Sequence, residues 1–275
     1  MRPPEVDGSH TCTPETVLRD GELTVLGRIR SASNATFLCE AALASSDEEP
    51  VTCVYKPVAG EQPLWDFPDG TLAGREYATY LLSSALGWNI VPHTIIRDGP
   101  AGPGMLQRWV DMPEEEPEGD AELVDLCQPG RLPAGYLPVL QAYDYRGDEV
   151  VLIHADDPQL RRMAVFDLLA NNADRKGGHI LRGEDGAVYG VDHGLCLHVE
   201  DKLRTVLWGW AGQTVDEATL DSVRALDLDG GLAERLGEHI TAAEVDALRD
   251  RVDALLRDPV LPGPDRRRPI PWPAF

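Results

Sequence analysis

The chain has 275 residues, 43% of them hydrophobic, and carries 47 acidic side chains against 25 basic ones, for a net charge of −22. That length holds one two-lobed domain or two small ones around a sizeable core. The charge opposes nucleic-acid binding, which needs Lys and Arg to replace counterions on phosphates, and opposes stable docking on anionic lipid.

No apolar run approaches a membrane span, and the start Met1-Arg-Pro-Pro-Glu-Val-Asp shows no signal-peptide pattern. The five cysteines are scattered and form no Cys-x-x-Cys pair, which fits a reducing cytoplasm. Lysine occurs only at 56, 176 and 202, the other basic residues being arginine. A retained Lys hints at a position needing a compact ammonium. The single local concentration of positive charge is Arg266-Arg-Arg.

Residues 1–20 read as a polar lead-in. Strands are predicted over Gly21 to Arg30, Thr36 to Ala44 and Val51 to Lys56, joined by the polar turns Ser31-Ala-Ser-Asn34 and Ser45 to Pro50. Gly60 to Gly70 is a loop. From Thr71 the apolar residues Leu72, Tyr77, Tyr80, Leu81 and Ala85 recur at helical steps, and Gly87 stops the helix. Ile90 to Arg97 and Gly104 to Val110 read as two further strands. Residues 112–120 form an acidic, Pro-rich linker, and beyond it helix is expected to dominate. Asp157 caps a helix with Pro158 in its first turn, ending near Asn171-Asn172. Ile180-Leu and Val188 to Val191 can pair as a small hairpin, and Thr241-Ala-Ala-Glu244 is a capping box opening the last helix. Pro259 to Phe275 is expected to be extended on the surface or disordered. The predicted organisation is a lead-in (1–20), a β-rich N-lobe (21–111), a linker (112–120), a helical C-lobe (121–258) and a Pro-rich tail (259–275), with a ligand cleft between the lobes.

Chemistry concentrates in Phe166-Asp-Leu-Leu-Ala-Asn-Asn-Ala-Asp-Arg-Lys-Gly-Gly-His-Ile-Leu181, followed by Val191-Asp-His-Gly-Leu195. Asp174 and Asp192 stand on loops flanking the small hairpin, so both can face one cleft. Phosphoryl transfer needs such a pair: one carboxylate orients the attacking hydroxyl, and the other holds the metal that bridges the phosphates. Lys56 ends a strand and Glu76 sits on the next helix, the pairing that holds ATP phosphates in kinases.

These features resemble the phosphatidylinositol 3-/4-kinase family of the protein-kinase-like superfamily, in a bacterial, actinobacterial-type branch, over residues 21–200. Asp174-Arg-x-x-x-x-Ile-Leu is similar to that family's catalytic loop. Asp192-His-Gly-Leu-Cys-Leu197 resembles its metal motif, nearest to plant proteins of the type II phosphatidylinositol 4-kinase group. Val54-Tyr-Lys-Pro resembles its ATP-lysine strand, and Leu106-Gln-Arg-Trp-Val110 falls at its adenine hinge. Asn172-x-Asp174 also resembles the HipA-type serine kinases.

The resemblance implies an α+β, two-lobed kinase-like fold with a β-rich N-lobe and a mainly helical C-lobe. It implies ATP and Mg²⁺ or Mn²⁺ as cofactors. Lys56, oriented by Glu76, holds the α/β-phosphates; Asp174 orients or deprotonates the acceptor hydroxyl; Asp192 binds the metal. Gln107, Arg108, Trp109 and Val110 form the hinge. No Gly-x-Gly-x-x-Gly is present, so Ser31, Ser33 and Asn34, with backbone N–H groups, are left to cover the phosphates. His179 replaces the family's usual Asn metal ligand. It is either a ligand suited to Mn²⁺, a structural histidine, or the mark of a lost activity. With −22 charges the expected acceptor is a protein or a small soluble molecule, with no nucleic-acid partner and no stable membrane association. A nucleotide-binding pseudokinase scaffold, an inositol-lipid kinase and an AMP transferase on the same fold are the alternatives.

Overall fold

The computed structural model describes residues 13–30, 32, 34–44, 49–113, 122–144 and 146–275. The first element is a short helix, α1 (Pro14–Asp20), capped by the Thr13 hydroxyl, which accepts from Thr16 N. This corrects the expected lead-in from residue 13 onward. α1 buries Val17 and Leu18 against Cys39, Ala41, Cys53, Tyr55 and Leu106, forming a small core of its own under the sheet.

That sheet has five antiparallel strands: β1 (Glu22–Arg28), β2 (Phe37–Ala42), β3 (Val51–Pro57), β4 (Thr94–Gly99) and β5 (Gly102–Arg108), in the order β1-β2-β3-β5-β4. β3 buries alternate residues, Cys53, Tyr55 and Pro57, so Lys56 is turned to the opposite face. Helix α2 (Leu72–Ala85) is inserted between β3 and β4, and its first turn is held by the Thr71 cap and by Glu61, whose carboxylate accepts from Leu72 N and Ala73 N.

Of the acidic linker expected over 112–120, residues 114–120 lie outside the described residues. The C-terminal lobe does not begin helical as predicted. β6 (Val124–Cys127), β7 (Tyr136–Tyr143) and β8 (Glu149–Ala155) form a three-stranded antiparallel sheet in the order β6-β8-β7. Helix α3 (Pro158–Ala170) follows, capped by Asp157 as predicted, and ends on Asn171 in the left-handed region at φ 51°. β9 (Ile180–Arg182) and β10 (Val188–Gly190) make the expected hairpin. α4 (Glu217–Arg224), α5 (Gly231–Gly237) and α6 (Ala242–Arg257) complete the lobe, and both arms of the capping box at Thr241 and Glu244 are formed.

The large core joins α2, α3 and α6 through Leu81, Leu82, Phe166, Leu169, Leu248 and Leu255. A buried ion pair, Arg75–Glu244 at 2.6 Å, ties α2 to α6, and Arg75 also donates to the Cys196 carbonyl. The helix carrying Glu76 is therefore bolted to the C-terminal lobe. The tail is extended and anchored. The Pro269 carbonyl accepts from Thr205 N and Trp208 Nε1, and the Ala274 carbonyl accepts from Gly177 N.

Candidate active site

Five side chains predicted from scattered segments meet in one cluster. Lys56 Nζ lies 2.7 Å from Glu76 Oε1 and 2.7 Å from Asp192 Oδ1. His179 Nε2 is 3.4 Å from Asp192 Oδ2. One ligand atom from each of Asp174, His179 and Asp192 falls within 4.8 Å of the others, a spacing that one cation can bridge.

Local geometry explains each placement. Asn171 closes α3 and its amide donates to the His198 and Glu200 carbonyls, turning the chain sharply. Asn172 then holds the backbone at Asp174, whose N–H donates to Asn172 Oδ1. Beneath this loop lies Asp167, a residue the sequence did not single out. Its carboxylate is fully buried and accepts from Arg175 Nε and a terminal Arg175 nitrogen, from Asn172 Nδ2 and from Thr205 Oγ1. Arg175 is likewise fully buried and reaches the His179 carbonyl and His193 Nε2. Gly190 is required here, because a Cβ would stand 2.9 Å from the Arg175 guanidinium. Asp192 itself sits at φ 60°, the conformation Asp and Asn tolerate best among residues with a side chain.

The electrostatics follow from crowding. Burial opposes the charge on Lys56, but the Glu76 and Asp192 carboxylates outweigh it and hold the ammonium above its ordinary pKa. The same ammonium, working against burial, keeps Asp192 below the usual carboxylate range. Burial pushes Glu76 up to about 7, against the pull of Lys56. Glu76 Oε2 is buried without a hydrogen-bond partner among the described residues.

His179 is lowered by burial, so the ring is neutral at pH 7. Its Nδ1 lies 2.8 Å from the Asp174 carbonyl oxygen. A carbonyl can only accept, so Nδ1 carries the proton and Nε2 keeps its lone pair toward Asp192. This is the outer-shell pattern that orients metal-ligating histidines. Two carboxylates and an imidazole fit a divalent cation, with the nitrogen favouring a transition metal over Mg²⁺.

The expected nucleotide contacts are placed less uniformly. Asn34 Oδ1 accepts from Gln62 N, and no contact of Asn34 with the cluster is formed among the described residues. Ser31 and Ser33 lie outside the described residues. Gln107 is buried and donates to Thr94 Oγ1, so its side chain serves the sheet. Arg108 N donates to the His93 carbonyl and Trp109 N to the Thr52 carbonyl. That leaves Val110 N as the hinge N–H without a protein partner among the described residues. Trp210 is core, with Nε1 donating to Asp156 Oδ1.

The fold is matched by hydra Fam20, solved with sugar, at a TM-score of 0.51 and 15% identity over 89% of this chain and 86% of that one. At such identity the likeness shows the fold alone, which is kinase-like. No protein-family model matches the chain. "Protein Rv2133c" of Mycobacterium tuberculosis is 67% identical over 265 residues, covering 94% of each chain. With a kinase-like fold and that degree of identity, the chain belongs to the family of Protein Rv2133c.

Proposed function

We propose that the chain is an ATP- and divalent-metal-dependent phosphotransferase of the phosphatidylinositol 3-/4-kinase type, acting in the cytoplasm on a hydroxyl of a protein or small soluble acceptor. The observation that carries this is the continuous chain Glu76–Lys56–Asp192–His179, with Asp174 in ligand distance of its end. No helix among the described residues is long and apolar enough to cross a membrane, which is compatible with that setting.

Lys56 would hold the α/β-phosphates while Glu76 fixes its orientation. Asp192 and His179 Nε2 would hold the metal, which when bound supplies charge neutralisation on the phosphates. Asp174 would orient the acceptor hydroxyl and draw its proton. Val110 N would reach the adenine, and Asn34 would contribute to the cover over the phosphates.

Thermal unfolding with ATP plus Mg²⁺ or Mn²⁺ tests this directly, since a ligand bound only by the folded state raises stability by mass action. A metal-dependent rise in the wild type, abolished in Asp192→Ala, is expected. A well-folded wild type indifferent to nucleotide with either metal would refute it. Stabilisation without ADP formation would identify a nucleotide-binding scaffold instead.

A further inference from the structure

Arg204 lies beside the candidate catalytic loop and takes no part in that site as described so far. Its backbone is clamped to the loop: Arg204 N donates to the Asn172 carbonyl, and the Arg204 carbonyl accepts from Arg175 N. Val206 N continues the pairing onto the Arg175 carbonyl, giving a short parallel bridge between Arg175 and Thr205. Paired residues of a parallel bridge point to the same face, and both of these reach Asp167. Along extended chain the faces alternate. Asp174 and Lys176 flank Arg175 on the opposite face, where Lys176 Nζ meets Asp174 Oδ2 at 3.0 Å, and Arg204 flanks Thr205 on the other side of the bridge. Strand-pair spacing carries Arg204 alongside Asp174 at about 5 Å between backbones.

The other long cations nearby are engaged. Lys202 faces Asp66 and Glu200, and Arg266 binds Asp201 and lies over Trp208. Arg204 is half-buried and has no carboxylate partner among the described residues, in a chain of −22. The tail adds to it. Because the Pro269 carbonyl is bonded to Thr205 N, the exposed Arg267 and Arg268 are held next to the same strand. The basic run Arg266-Arg-Arg thus ends beside the segment that carries Arg204.

We infer that Arg204, flanked by Arg267 and Arg268, binds a phosphate or carboxylate group carried by the acceptor, and so selects an anionic acceptor whose hydroxyl it presents to Asp174. A guanidinium fork suits such a planar or tetrahedral anion. The inference rests on the phosphotransferase reading, so its test holds the nucleotide site filled.

The full chain would be saturated with a non-hydrolysable ATP analogue and Mn²⁺, then titrated with inorganic phosphate, glycerol 3-phosphate and glycerol while thermal stability is followed. The two anions should stabilise the wild type and glycerol should not. Arg204→Met should weaken anion binding by about ten- to a hundredfold, the size of a lost charge-assisted hydrogen bond, with nucleotide affinity unchanged. Arg204→Lys should restore part of it. Flotation with phosphatidylcholine vesicles with and without phosphatidylinositol separates the sources. Arg204-dependent vesicle binding assigns the anion to a lipid headgroup, and its absence beside anion binding assigns it to a soluble acceptor. Nucleotide binding without anion binding, or anion binding unchanged in Arg204→Met, would overturn the inference alone. Failure to bind the nucleotide analogue would sink the phosphotransferase reading itself.

Discussion

Replacing Asp167 by alanine should be the most damaging single change beneath the site. The carboxylate accepts from Arg175 twice over, at 2.9 and 3.1 Å, and from Asn172 and Thr205 at 3.0 Å each. Both Asp167 and Arg175 are 0% exposed. The variant therefore leaves a guanidinium charge in the core with no carboxylate, and the hydroxyl and amide lose their acceptor as well. Breaking a buried pair from one side costs about 3–5 kcal/mol. In a protein of roughly this size each kcal/mol moves the melting temperature by about 2–4 °C, so a fall of about 6–20 °C is expected. Calorimetry or circular dichroism reads it directly. The double variant Asp167→Leu/Arg175→Met removes both charges and should recover much of the loss, because an apolar pair of similar volume carries no stranded ion. A single-variant fall of under about 2 °C would refute the reasoning, as would a double variant no better than the single one.

Lys56→Met should abolish ADP formation and weaken ATP binding, yet strengthen binding of Mn²⁺ alone several-fold, because the competing ammonium leaves Asp192; calorimetric titration checks both. His154 is fully buried, its Nε2 accepting from Gly209 N, and burial lowers its pKa. Its stabilising contribution is complete above the unfolded value of about 6.5 and is lost as pH falls toward the folded one. Between pH 7.5 and 5, His154→Gln should therefore lose less stability than the wild type, by up to about 1.4 kcal/mol per pH unit below 6.5. Glu76, whose raised pKa acts in the opposite sense, is common to both proteins and cancels. Thr241→Ala, which removes the hydroxyl arm of the capping box and leaves the backbone arm to Glu244, should cost about 1 kcal/mol and lower the melting temperature by about 2–4 °C, with nucleotide binding intact.

Legibility in the sequence followed the range of the interactions. α2, α3, the β9–β10 hairpin and the α6 cap carry their signals within a few residues, and each forms where predicted. Helix α1 was missed because seven residues with only Val17 and Leu18 apolar show no periodicity. The signal available was Thr13-Pro14, a cap followed by a first-turn proline, the same one used at Asp157-Pro158. The β6–β8 sheet was missed because Pro133, Pro138 and the turn at Gly147 break its strands into runs too short to alternate clearly. Lys56, Glu76, Asp174 and Asp192 were legible because their residue types and chain order resemble a family. Asp167 was not, since an aspartate in a helix looks solvated until its partners, eight and 38 residues on, are known. The same holds for Arg204, whose place is set by backbone pairing and not by its neighbours in sequence.

The hydrogen bond from Gly177 to the Ala274 carbonyl fixes an order of events during synthesis. The ring of Phe275 rests on Gly177, where a Cβ would be 2.7 Å from it, and this glycine opens the turn that carries His179. Ribosomes deliver the N-terminal lobe first, at about 5–20 residues per second. The five-stranded sheet can close while the tail is still being made, but the turn beside Asp174 gains its last support only when residues 269–275 arrive. A nascent chain thus acquires the strand carrying Lys56 well before the loop at Asp174 is pinned, and residues 269–275 act as the latch on a cluster begun more than two hundred residues earlier.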